Sequence, residues 1–360
     1  MSSQMYEINF KGENVYIGID VHKNQWHVCA RTANLSMKPF CQPPSAECLK
    51  NWLNTHFPGS TYISAYEVGF TGFSTHYALE SVGIKNIVFN PGDINDSQKE
   101  RSRKTDTVDC IKICRNLING ELQPIYVPSK DEISGRGYLG ARDTAVKKRQ
   151  QSRQRIKSLL YRNGVSYPKE FKESNKHWTR FFNAWLESVA ADLGGGEGFR
   201  LLCLLEDMRF AHVQSLEAGR KILSVIHQWH KEKYELLMTI PGVGRHTASR
   251  ICLELPDMSC FKDEDHLAGY IGFVPDVRSS DKTVYVRGVS YRGRRMLRST
   301  IIEAAWRSIT KDPALGMAYT RYVKRGLKPN NAIIRIARKL LNRIRFVLRT
   351  GQRYETSTAR

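Results

Sequence analysis

The chain lacks the pairings and runs by which several protein classes are recognised. Its eight cysteines, at 29, 41, 48, 110, 114, 203, 252 and 260, form no C-x-x-C pair. Neither a disulfide framework nor a zinc ribbon is signalled, and they read as reduced, mostly packing thiols. Apolar stretches end at a charge after a few residues, and residues 1–11 are polar with no apolar leader. That predicts a soluble, cytoplasmic protein with no membrane role. No G-x-x-x-x-G-K-[ST] loop is present, so no nucleotide hydrolysis is indicated.

Negative charge is the scarcest commodity. Only 35 Asp+Glu stand against 56 Lys+Arg, a net charge of +21, while 41% hydrophobic residues over 360 positions supply cores for two or three domains. The excess is local. Residues 1–98 have net charge −2 and residues 158–280 have −1, whereas residues 99–157 have +8 and residues 281–360 have +16. Two separate basic blocks imply a polyanionic partner, and the arginine-rich second block suits bidentate phosphate contacts. Residues 331–349 place Ile333, Ile336, Ala337, Leu340, Leu341, Ile344 and Leu348 on one helical stripe among arginines, which predicts a docked helix with a basic outer face rather than a loose tail.

From Val15 the chain reads as two antiparallel strands broken at residues 22–24, a third strand at 37–41, a helix at 46–57, a strand at 61–68, a helix ending at Gly83 and a strand ending at Pro91. The β-β-β-α-β-α-β order predicts an α/β domain of the ribonuclease H type. A basic helix follows at 99–119. Residues 131–163 and 171–237, the latter broken at Gly194–Gly195–Gly196, predict long polar helices, either a coiled-coil arm or solvated single helices. Residues 269–295 read as a small irregular region with Ser279 and Ser280 in a polar loop.

Asp20 ends the apolar strand YIGID, and Glu67 ends ISAYE. A carboxylate at a sheet interior costs several kcal/mol unless it is paired or holds a cation. Asp106 and Asp109 share one helical face at i, i+3 spacing. Four carboxylates with no His or Cys in the cluster favour Mg²⁺ or Mn²⁺, and carboxylates from two strands and a helix suit metal-assisted phosphoryl transfer. Arg101, Arg103 and Lys104 border them as phosphate contacts. Lys147, Lys148 and Arg149 add a basic surface. The IPGVG turn reads as a helix-hairpin-helix, or else a plain glycine turn, with Gly242, Gly244 and Arg245 available to a phosphate. Arg278, Lys282, Arg287, Arg292, Arg294 and Arg295 surround the serines. The spacings of His227 with His230 and of Cys110 with Cys114 read as packing or surface, and Trp26, Trp178 and Trp306 as core.

GIDVHK at 18–23, YEVGFTG at 66–72, NP at 90–91, RSRKTDTVDC at 101–110 and TIPGVGRHTA at 239–248 together resemble the DEDD transposases of the insertion-sequence family numbered one-ten, relatives of the pilin-gene invertases. The resemblance runs over residues 15–350. It implies a RuvC-like catalytic domain at 14–125, a helical coiled-coil connector at 126–235, and a mostly helical C-terminal transposase domain at 236–350 with a helix-hairpin-helix and a serine loop. It also implies Mg²⁺ or Mn²⁺ at Asp20, Glu67, Asp106 and Asp109, donor and target double-stranded DNA, a structured bridge RNA as guide, and a homo-oligomer. The family's nucleophilic serine lies five residues after a G-[LF]-[TV]-P block, here GFVP at 272–275, which indicates Ser280. Asp281 stands where the family has glycine, so Ser279 stays an alternative. Two other readings fit the same residues: a structure-selective nuclease in which water attacks, and an architectural nucleic-acid-binding protein with a degenerate site.

Overall fold

A computed structural model describes residues 10–90, 105–280, 283–289 and 293–356, with the backbone alone described at 275–280 and 283–289. The predicted contacts Arg101, Arg103, Lys104, Lys282 and Arg292 lie outside the described residues. The chain forms two compact units, Met1–Val127 and Pro128–Arg360.

The first unit is built on a five-stranded sheet in the order β3-β2-β1-β4-β5, comprising β1 (Asn14–Val21), β2 (Trp26–Arg31), β3 (Phe40–Gln42), β4 (Thr61–Glu67) and β5 (Lys85–Phe89). The first three strands run as an antiparallel meander, whereas β4 lies parallel to β1 and β5 parallel to β4. Parallel neighbours need crossovers, and α1 (Ala46–His56) and α2 (Ser74–Ser81) lie on those paths. Ser45 caps α1 by accepting from the Cys48 amide.

Strand alternation divides the apolar residues between two faces. Val15, Ile17 and Ile19 are fully buried and pack with Leu49 and Leu53 of α1 and Leu79 of α2. On the opposite face Tyr16, Ile63, Ala65 and Ile87 meet Ile113 and Leu117 of α3 (Asp106–Ile118).

That second face is lined with small groups. A Cβ on Gly18 would stand 2.2 Å from the Cys110 carbonyl oxygen and 2.4 Å from the Cys114 amide nitrogen. Real Cβ atoms do not come that close, so Gly18 is what lets the backbone of α3 rest on β1. The fully buried thiols of Cys29, Cys110 and Cys114 fill the remaining layer, and the Cys114 thiol donates to the Tyr16 carbonyl at 3.2 Å. Gly18→Val should cost about 3 kcal/mol or more, at or beyond the usual overpacking range, because the clash is with backbone. Urea unfolding checks the loss of stability. Since α3 carries Asp106, strand cleavage should fall further than in a variant of equal instability on the α1 face, such as Leu53→Ala.

Among its described residues the second unit is helical apart from one hairpin. Its elements are α4 (Lys130–Arg162), α5 (Arg180–Leu193), α6 (Gly195–Trp229), α7 (Lys231–Met238), α8 (Arg245–Glu254), α9 (Glu264–Ile271), β6 (Pro275–Ser280), β7 (Thr283–Val289), α10 (Arg295–Lys311), α11 (Pro313–Lys324) and α12 (Pro329–Thr350). A capping box at Ser129 and Glu132 starts α4. Helices α4 and α6 pack along their lengths, and the buried positions of α6 step by alternating threes and fours through Leu204, Met208, Ala211, Ser215, Ala218, Ile222 and Val225. The predicted stripe of α12 is buried at Ile333, Ile336, Ala337, Leu340, Leu341 and Ile344, with Leu348 partly buried against the same core.

Two expectations are corrected. Residues 171–179 are not helical, because two short 3-10 turns precede α5 and Trp178 has φ +69°, outside helical space. The serines lie in no loop. Ser279 and Ser280 end β6, paired with Val284 and Thr283 of β7. The sequence TVYVRGV alternates β-branched and aromatic residues with others, and two residues separate the strands, so the segment suits a hairpin.

Candidate functional site

Asp20 and Glu67 end neighbouring strands on the sheet face covered by α3, and Asp106 and Asp109 lie in the first turn of that helix; among the described residues, Asp20 and Asp106 are the two of these four that share a close group, with His22. Register sets the strand pair. Gly18 pairs with Ala65 and Ile19 with Tyr66, so Asp20 is level with Glu67, both on the α3 side. Asp20 also stands directly across from His27 of β2. Thr105 is the N-cap of α3, so Asp106 and Asp109 fall in the helix's first turn, where its dipole favours negative charge.

Within this group the structure brings Asp20, His22 and Asp106 closest, with one donor atom from each lying within 4.8 Å of the others. His22 Nε2 is 3.1 Å from Asp20 Oδ2 and 3.6 Å from Asp106 Oδ2. His27 Nε2 reaches Asp106 Oδ2 at 3.3 Å, while its other ring nitrogen faces the Cys41 sulfur at 3.3 Å. Gln25 adds a contact from Nε2 to His27 Nε2 at 3.0 Å. The two imidazoles meet edge to face at 5.9 Å between ring centres.

Asp20 and Asp109 are half-buried, whereas Glu67 and Asp106 open to solvent. Their charges reach neighbouring groups. The Cys110 thiol is pushed up to about 12 by burial, with the charges of Cys29 and Asp20 adding to it. Burial and Arg115 lower the Lys112 ammonium below the usual lysine range, and Glu67 opposes them. The site is thus a shallow acidic rim over a dry thiol layer.

The expectation of a cluster without histidine is corrected, since His22 and His27 sit among the carboxylates. Sequence spacing carried only part of this signal, and strand pairing supplied the rest. His22 is two residues beyond Asp20, and a two-stranded turn centred on residues 23–24 folds His27 back beside Asp20. As a donor set, two carboxylates and an imidazole within ion-bridging distance suit a divalent cation, and hard oxygen donors still dominate once Glu67 and Asp109 are counted on the same face.

The other predicted contacts belong to the second unit. Lys147 and Lys148 are exposed on α4, and Arg149 is half-buried. Gly242 has φ +91°, and a Cβ there would stand 2.1 Å from Ser308 Oγ of α10, so its visible duty is to seat the α7–α8 turn on α10. Ser308 Oγ donates to the Pro241 carbonyl at 2.8 Å. Gly244 is the N-cap of α8, and Arg245, its first residue, is exposed.

Arg278 and Arg287 lie on the hairpin strands. Its base is held by close backbone packing of Gly293 (φ +98°) on Gly272, by the Arg294 amide donating to the Tyr270 carbonyl at 3.2 Å, and by Arg298 donating to the Gly272 carbonyl at 3.0 Å. The Arg294 guanidinium lies over the Tyr270 ring at 5.5 Å, and Arg295 is exposed at the start of α10. Among the described residues, no helix is long and apolar enough to cross a membrane.

Comparison with known proteins finds related chains. Residues 17–163 match the family model of the IS110 DEDD transposases, and residues 234–320 match the transposase IS116/IS110/IS902 family. The chain is 27% identical to y4qE of Sinorhizobium fredii, a transposase by name, over 67% of this chain and 57% of that protein. It is 25% identical to the pilin gene-inverting protein of Moraxella lacunata over 94% of this chain and 97% of that protein. A transposase for insertion sequence element IS1533 from Leptospira borgpetersenii is 26% identical over 49% of this chain and 50% of its own length. The match therefore spans little more than half of the first of these relatives and nearly all of the second.

Proposed function

Because this chain belongs to the IS110 family of DEDD transposases, we propose that it is a DNA recombinase that cuts donor and target strands and rejoins them to new partners. The observation that carries the reading is the convergence of Asp20 and Asp106 on His22, at the edge of the sheet face that also carries Glu67. The sheet order, an antiparallel meander followed by two parallel strands, fits the ribonuclease H type of nuclease fold. The name of the Moraxella lacunata relative, a pilin gene-inverting protein, favours recombination over simple hydrolysis.

Asp20, Glu67, Asp106 and Asp109 would hold Mg²⁺ or Mn²⁺, which when bound supplies charge neutralisation at a phosphodiester. The chain's own residues do the rest. His22 orients the Asp20 carboxylate by a hydrogen bond from its ring nitrogen and also faces Asp106. His27 lies on the other side of Asp106, with its Nδ1 facing Cys41 and its Nε2 facing both Gln25 and the Asp106 carboxylate. Neither carboxylate could be replaced by an amide without removing negative charge from the point where phosphate must be held. Gly242, Gly244 and Arg245 of the α7–α8 turn are proposed as a helix-hairpin-helix phosphate contact, and the α4–α6 pair as the coiled-coil connector of a homo-oligomer.

Ser280 is proposed as the nucleophile of a transient protein–DNA ester, and a structured RNA as the guide that selects sites. Two separate basic blocks support a second polyanion besides DNA. The test is strand exchange on the DNA flanking the gene, with Mg²⁺, with or without RNA transcribed from beside the gene. RNA-free protein should lose site choice by about a thousandfold or more, a loss of the size that separates specific from non-specific binding. Undiminished site choice in nuclease-treated protein would remove the guide from the proposal.

A further inference from the structure

Between the middle of α4, the facing stretch of α6 and the first turn of α8 lies a cleft of about 380 Å³. Four arginines line it: Arg142 and Arg149 of α4, Arg220 of α6 and Arg245 of α8, and no lining residue is acidic. Such a gathering ordinarily finds carboxylates. Here, among the described residues, none of the four is in an ion pair. Arg142 instead donates to His246 Nε2 at 3.3 Å, and Arg149 to His212 Nδ1 at 2.7 Å.

A ring nitrogen that accepts from a guanidinium carries no proton, so these imidazoles orient the arginines without neutralising them. Burial, then Arg142 and Arg250, pull His246 down to about 4, which keeps it neutral at physiological pH. The nearest carboxylates are already engaged. Asp143 takes both oxygens to buried Arg250 at 2.6 and 2.7 Å, and Glu254 bonds the same guanidinium. The arginine charges are felt within the cleft, because burial, Arg250 and Arg149 all lower the proton affinity of Arg142, with Asp143 opposing them. Fixed like charges around a concave surface cost folding energy unless an anion enters.

We propose that this cleft is a phosphate site that takes one phosphodiester of a nucleic-acid backbone, with Arg142, Arg149, Arg220 and Arg245 as its donors. Guanidinium forks match phosphate oxygens bidentately, and a cleft without acids excludes cationic ligands. The phosphate assignment stands on the cleft itself, whereas its nucleic-acid bearer rests on the recombinase reading above. The contact reads no bases, so it would hold register on any duplex.

The test uses the full-length protein in EDTA, so that cleavage plays no part and failure of the carboxylate site is distinguishable from failure of this one. Affinity for a short duplex, as DNA in one arm and as RNA in the other, is measured across a salt series. In Arg220→Gln/Arg245→Gln, whose exposed side chains make no hydrogen bond or ion pair among the described residues, the log–log salt slope should shrink by about one in at least one arm. Arg142→Gln/Arg149→Gln should do the same. Lys169→Gln/Lys262→Gln, an equal loss of charge at exposed positions off the cleft, should leave the slope unchanged. Inorganic phosphate should raise the melting temperature of the wild type more than chloride of equal ionic strength, and should not do so for Arg142→Gln/Arg149→Gln. Slopes that match the control in both arms would overturn the backbone assignment. Phosphate stabilisation that survives in both cleft variants would overturn the site.

Discussion

Asp20→Asn is expected to reduce strand cleavage about a thousandfold or more, as removal of a principal electrostatic element does, while DNA affinity in EDTA stays near that of the wild type. The substitution preserves shape and hydrogen-bonding reach, so folding is not the explanation. What changes is charge at the one point where the strand β1, the helix α3 and His22 meet. Asp20 Oδ2 lies 3.1 Å from His22 Nε2, which also faces Asp106 Oδ2, and an amide there leaves Asp106 as the sole carboxylate of the closest group. Asp106→Asn should act alike, and the double variant should be little worse than either single one, because residues that serve one cation act as a unit. Binding should be unaffected because the proposed phosphate contacts are basic side chains away from this carboxylate, in the blocks 99–157 and 281–360 and in the arginine cleft. Single-turnover cleavage alongside equilibrium binding separates the two effects. Wild-type cleavage by Asp20→Asn would remove the carboxylate site from the mechanism.

The four acidic positions stand out in the sequence because each breaks a local pattern, and the structure brings Asp20 and Asp106 to one group with His22. Asp20 and Glu67 interrupt apolar strands at their ends, and Asp106 and Asp109 repeat at helical spacing. The sheet was legible for a related reason, since period-two alternation in 14–31 and 61–67 is dense and the turns between are polar. His22 and His27 were not legible as partners, because what joins them is register across the β1–β2 turn, a property of pairing rather than of either strand. The hairpin at 275–280 and 283–289 was hidden by its own composition: serines, an aspartate and arginines read as a loop until strand pairing is seen. The arginine cleft was invisible for a third reason. Arg142, Arg220 and Arg245 come from three helices whose packing alone gathers them, and in the sequence each is an ordinary surface charge.

The second large effect is expected at the hairpin. Ser280→Ala should abolish any protein–DNA adduct and reduce strand exchange about a thousandfold or more, as loss of an attacking group does, whereas Ser279→Ala should keep both. In the proposed step a bond forms between the serine oxygen and phosphorus as the bond from phosphorus to the departing strand breaks. The hydroxyl proton passes to a base and the departing oxygen gains one, so the number of phosphate esters is conserved. A strand hydroxyl then reverses the exchange and frees the serine. Hydrolysis conserves nothing of this kind. A nuclease would leave free ends and form no adduct, though both reactions need the carboxylates. Backbone geometry sharpens the contrast, because Ser279 pairs with Val284 and Ser280 with Thr283, and successive strand positions belong to opposite faces of the hairpin. The two serines are therefore not interchangeable by a small shift, and one should carry nearly all the effect. Asp106→Asn should lose the adduct as well, since attack requires the phosphate to be held. The measurement is a nicked or otherwise stalled substrate, quenched in denaturant and resolved by size. An adduct that vanishes only in Ser279→Ala would move the nucleophile by one residue, while complete cutting without any adduct, indifferent to both serines, would replace recombination with hydrolysis.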